Sequence, residues 1–136
     1  MQSAKRLAGL GILLLALPLL SGAAHAADRL DGAWTTTAAS CDEVFVKRKG
    51  NLALKRTSEG WSAFIVNGNR INGANATCSV KSTKQKGDVT TFLLSCADKI
   101  MFDTMTVSIR FKDDGTFVRF DPEFPEVETS YHRCDR

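Results

Sequence analysis

Beyond residue 26 the chain runs in short stretches of alternating apolar and polar positions, broken by turn-forming residues roughly every 8 to 12 positions. No stretch carries the apolar stripe of an amphipathic helix. The pattern predicts an all-β fold, a single antiparallel meander of about eight strands. A closed barrel is preferred over a two-layer sandwich, because closure removes exposed strand edges.

The turns set the expected pairings. Asp114-Gly115 centres a hairpin from Thr106 to Asp121, with Phe111 opposite Val118 and Ile109 opposite Phe120. Val107, Ile109, Phe111, Val118 and Phe120 then share the core face; Ser108, Arg110, Lys112 and Arg119 are wet, and Phe117 is left exposed. Earlier, Val44 to Arg48 pairs with Leu52 to Arg56 around Lys49-Gly50-Asn51, and Trp61 to Val66 returns through Asn67-Gly68 so that Phe64 meets Ile71. The first strand falls near Trp34 and the last near Tyr131. With Phe64, Phe92, Phe111 and Phe120 pointing inward, a filled core is expected.

A further hairpin joins residues 76–83 to 89–96 about Gly87 and makes a statement about cysteines. It places Cys78 opposite Cys96, Val80 opposite Leu94 and Ser82 opposite Phe92. Facing Cα atoms in a sheet lie roughly 4.5 to 5.5 Å apart, inside the window of a disulfide. Cys78 is therefore expected to pair with Cys96, leaving Cys41 for Cys134.

Composition changes the picture at the N-terminus. Lys5 and Arg6 precede an apolar run from Leu7 to Leu20, followed by Ala24-His25-Ala26, which reads as a cleavable secretory signal over residues 1–26. That assigns the protein to the periplasm or the medium by a general, bacterial-style route, where four cysteines form disulfides. Residues 27–136 form one domain, with no later run long enough to span a membrane. Without Lys5 and Arg6 the eighteen basic residues fall to sixteen against fifteen acidic ones, so no electrostatic footprint for nucleic acid remains.

Gly32-Ala33-Trp34 near the start of the domain and Arg133 beside the last cysteine resemble the G-x-W and late arginine of calycin barrels such as the lipocalins. The chain length is similar to that of short bacterial relatives, including periplasmic inhibitors of secreted metalloproteases. The resemblance implies a barrel in which Trp34 lies across a closed end and Arg133 packs over its ring.

Few residues point to chemistry. There is no C-x-x-C, no G-x-S-x-G elbow and no calcium-loop spacing, so neither a metal nor another cofactor is expected. His132, the single histidine beyond the signal, has no nucleophile or orienting partner beside it in the sequence. The most distinctive stretch is Asp121-Pro122-Glu123-Phe124-Pro125-Glu126-Val127-Glu128, read as a stiff exposed loop outside the sheet. Glu123, Phe124 and Glu126 are its candidate partner-binding residues, followed by Phe117 and the basic strand face of Arg110 and Arg119. The leading expectation is a non-enzymatic binding module whose partner is another protein, most concretely a hydrolase that it inhibits. The alternative is a carrier of a small apolar ligand, and a third reading is an enzyme with an unrecognised carboxylate site. A hollow interior distinguishes the carrier from the inhibitor.

Overall fold

A computed structural model describes residues 28–55 and 63–135. The expected signal segment, and Trp61, lie outside the described residues. In chain order the strands are β1 (Gly32–Thr35), β2 (Phe45–Arg48), β3 (Asn51–Leu54), β4 (Ala63–Asn67), β5 (Arg70–Gly73), β6 (Thr77–Lys86), β7 (Val89–Ala97), β8 (Phe102–Asp113), β9 (Thr116–Asp121) and β10 (Phe124–Arg133). Eight of these close into an antiparallel barrel in the order β1-β10-β9-β8-β7-β6-β5-β4. The expected fold class is what the chain adopts, and the barrel is consistent with a calycin-like small barrel.

The meander is interrupted once. After β1 the chain makes a 3-10 turn (Ala38–Ser40), one α-helical turn (Cys41–Val44) and the β2–β3 hairpin, which forms a separate two-stranded sheet. This hairpin was expected within the meander. Its apolar positions resemble those of a barrel strand, but Phe45 instead packs on Ala33 and Ala63, with Leu52, Leu54 and Ile65 alongside. It thus covers the seam where β1 meets β4. Lys49 and Gly50 take φ of 51° and 83°, the left-handed values a two-residue hairpin turn needs, so Arg48 faces Asn51 directly. Cys41 and Cys134 are joined by a disulfide, which ties this excursion to the end of β10.

The second disulfide joins Cys78 and Cys96, facing residues of β6 and β7. The register that puts them together is subtler than expected. The turn is two residues long, with Lys86 opposite Val89, so Thr83 rather than Ser82 faces Phe92. A bulge between Val80 and Ser82 then shifts the pairing back, restoring Val80 opposite Leu94 and Cys78 opposite Cys96. The β4–β5 turn is also offset from expectation: Val66 faces Ile71, and Phe64 faces Gly73.

The largest departure lies in the β8–β9 hairpin. Asp113 faces Thr116 as expected, but a bulge between Phe111 and Asp113 puts Phe111 opposite Phe117, Arg110 opposite Val118 and Ile109 opposite Arg119. Because strand side chains alternate, one extra residue exchanges the two faces of β9. Phe117, expected exposed, is 1% exposed and sits in the central core. Arg119 turns inward with it, whereas Phe120 turns outward beneath Arg110, whose guanidinium lies 5.5 Å from the ring centroid.

One end of the barrel is built shut. Residues 28–30 are helical, and Leu30 reaches the core. Trp34 is fully buried and donates its indole N–H to the Leu30 carbonyl at 2.7 Å. The Arg133 guanidinium lies 4.4 Å over the Trp34 ring and donates to the carbonyls of Asp31 (2.6 Å), Arg29 and Asp114. Gly32 is required by this arrangement: a Cβ there would lie 2.6 Å from Arg133 Nη1, and its φ is +134°. The G-x-W and late arginine therefore form one packed unit, as the resemblance implies. Trp34, Phe117, Tyr131 and Phe64 continue upward as an aromatic stack, with successive centroids 4.7, 5.2 and 5.1 Å apart.

Candidate functional site, an apolar chamber with a split rim

Above the aromatic floor the barrel is not filled. An interior cavity of about 420 Å³ is lined by apolar side chains, among them Ile71, Cys78, Phe92, Leu94, Val107 and Ile109. The expectation of a filled core fails for two reasons. The bulge in β8 takes Phe120 out of the interior, and Phe64 faces a glycine, Gly73, across β5. Small residues at the upper wall, Gly73 and Ala76, leave space that a larger residue would occupy.

The end opposite Trp34 carries the β5–β6, β7–β8 and β9–β10 connections. Its wall is split. β8 pairs with β9 only from Ser108 to Asp113, and among the described residues Phe102 to Val107 pair with β7 alone. A second cavity of about 520 Å³ occupies this opening, with Met105 and Val107 on one side and Arg119, Phe124, Val127 and Thr129 on the other. Met105, Val107 and Arg119 border both cavities, so they stand where the two spaces adjoin.

Arg119 is the cation at that junction. It is half-buried and faces Ile109 on one neighbouring strand and Thr129 on the other. The expected basic face of Arg110 and Arg119 does not exist, because the two side chains lie on opposite sides of the sheet. Arg110 is outside, ion-paired with Asp88 at 3.4 Å and with Glu128 at 3.3 Å.

The acidic stretch is not a loop outside the sheet. Phe124 faces Asp121 across the Pro122-Glu123 turn, and pairing resumes at Glu128 opposite Phe120. The prolines are accommodated at the turn and in the irregular stretch after Phe124, where no ladder N–H is required. The Asp121 carboxylate accepts the Glu123 N–H at 2.8 Å and braces the turn. Glu123, Phe124 and Glu126 are all exposed, so the tip presents an aromatic between carboxylates as expected. Further large apolar residues stand on the same end: Ile100 is 91% exposed, Phe102 73% and Val127 66%. The Asp98 carboxylate accepts the N–H groups of Ile100 and Met101, both at 2.7 Å, and these bonds hold its pKa below the ordinary aspartate value. That anchors the connection carrying Ile100 and Met101.

His132 is half-buried on β10 opposite Thr35, on the side of the strand away from Tyr131. Sequence reasoning missed Met105, Val107 and Arg119 as a group. The available signal was Phe117 itself, since an apolar aromatic that a hairpin register leaves in water marks a misplaced register. Comparison with family models, curated protein sequences and solved structures gives no match to this chain. Among the described residues, no helix is long and apolar enough to cross a membrane. The two disulfides fit a protein of an oxidising, extracytoplasmic compartment.

Proposed function

We propose that this protein is an exported, non-enzymatic binding module that holds a small apolar ligand inside its barrel. The observation that supports this reading is the apolar cavity of about 420 Å³. It falls within the size of small-molecule sites, roughly 300 to 1,000 Å³. The packed Trp34–Arg133 floor supports it too, because a floor that closes one end leaves the opposite end as the route for a ligand. Kinship with the calycin barrels belongs to the same proposal.

The test is uptake of a neutral apolar fluorophore, N-phenyl-1-naphthylamine, by the oxidised protein. One molecule per barrel is expected to bind with enhanced emission. Val107→Phe places a ring where the two cavities adjoin and should weaken uptake by about ten-fold or more, equivalent to roughly 1.4 kcal/mol. Absence of uptake, or full-strength uptake by the variant, would overturn the reading.

A second reading, a protein-binding inhibitor of a hydrolase, is favoured by the exposed apolar residues on the split rim, Phe124 and Val127 with Ile100 to Phe102. Aromatic anchors held ready at low entropic cost dominate interfaces. Replacing Glu123, Phe124 and Glu126 together by serine should then abolish capture of a hydrolase from envelope extract while the melting temperature stays unchanged. Capture that survives the triple replacement would reduce the tip to a solvated turn.

A further inference from the structure

Three of the arginines are visibly engaged. Arg29 pairs with Asp114, Arg110 with Asp88 and Glu128, and Arg133 with Asp135. Arg119 differs: among the described residues it has neither an ion pair nor a hydrogen bond, although it lines an otherwise apolar chamber. Asp121, two positions along the same strand, also lines the outer cavity; its carboxylate accepts the Glu123 N–H and makes no ion pair with Arg119. Guanidinium stays charged at any physiological pH, so a half-buried position against apolar walls leaves that charge poorly compensated. An anion arriving there would gain a charge-assisted, two-pronged hydrogen bond.

We propose that Arg119 anchors the anionic head of a single-chain amphiphile, a carboxylate above all, whose apolar tail lies in the inner cavity. This rests on the apolar-ligand reading above and narrows it to one ligand class. The placement fits both halves of such a molecule. Arg119 borders the outer cavity at the split between β8 and β9, where water reaches the head group, and it also borders the inner cavity that receives the tail. Thr129, its facing residue on β10, lines the outer cavity as well and offers a hydroxyl to the same head. The fork of a guanidinium matches the two oxygens of a carboxylate, which selects an acid over an alcohol of the same chain length.

The experiment titrates the oxidised protein with dodecanoate, dodecanol and dodecyltrimethylammonium by calorimetry at neutral pH. Dodecanoate is expected to bind about ten-fold or more tightly than dodecanol, with the cation weakest, in keeping with the strength of hydrogen bonds to charged groups. Arg119→Gln should remove the preference for dodecanoate, weakening dodecanoate about ten-fold or more and dodecanol much less, with circular dichroism reporting that the variant is folded. Arg119→Lys should restore part of the preference through its charge alone. Equal binding of dodecanoate and dodecanol, or a loss of both in Arg119→Gln while circular dichroism is unchanged, would overturn the assignment. Failure of all three probes would instead overturn the cavity reading on which it rests.

Discussion

Replacing Cys41 and Cys134 together by serine is expected to lower the free energy of unfolding by about 4.5 kcal/mol, the largest loss from any paired change considered. The two cysteines are 93 residues apart, against 18 for Cys78 and Cys96, and a longer closed loop removes more unfolded-state entropy. The shorter bridge should be worth about 3 kcal/mol on the same reasoning. The structure adds a native-state contribution in the same direction. Cys134 packs in the cluster that holds the β2–β3 hairpin on the seam between β1 and β4, so the clasp also keeps that cover in place. Urea unfolding of the two double variants measures both numbers. A loss from Cys41 and Cys134 no greater than that from Cys78 and Cys96 would refute the loop-length account.

Trp34→Ala should cost about 3 to 5 kcal/mol, the range for emptying a buried aromatic site. Trp34 lies beneath Arg133, beside Phe117 and within hydrogen-bond reach of Leu30, so its loss unseats the whole closed end. Arg133 would keep its three carbonyl acceptors but lose its aromatic platform. Arg133→Lys loses the fork that reaches three carbonyls but keeps an alkyl stem over the ring and empties no core site, so it should cost less than Trp34→Ala. Thermal denaturation of both variants tests the order, and a Trp34→Ala variant as stable as the parent would mean that the floor does not depend on this unit.

Much of the fold was legible because its signals are local or periodic. Turn-forming residues located the hairpins to within a residue or so, and facing positions across one of them paired Cys78 with Cys96. The Trp34–Arg133 unit was legible only through resemblance, as its residues are about a hundred positions apart. What escaped has a common cause. Bulges near Lys81 and Lys112 leave no mark on an alternating pattern, yet each shifts every side chain beyond it. At the first the turn length compensates, and the disulfide pairing survives. At the second nothing compensates, so Phe117, Arg119 and Phe120 all changed sides. The outer hairpin escaped because Phe45, Leu52 and Leu54 alternate as a barrel strand would, and only the third dimension separates a strand within a wall from one lying on it. The chamber is a volume left over by Gly73, Ala76 and the departure of Phe120, which no linear pattern records.

The bulge beside Lys112 also decides what the barrel can contain. A β-strand reads its two faces as a frame of two, and a one-residue bulge is the smallest change of pairing that shifts the frame. Paired without the bulge, so that Lys112 faced Phe117 and Phe111 faced Val118, β9 would offer Val118 and Phe120 to the interior and Phe117 and Arg119 to water. The barrel would then be plugged by an aromatic and shorn of its internal cation. One and the same sequence thus makes a hollow barrel with a charge inside or a solid one according to how this single hairpin is paired, without altering any residue of the wall.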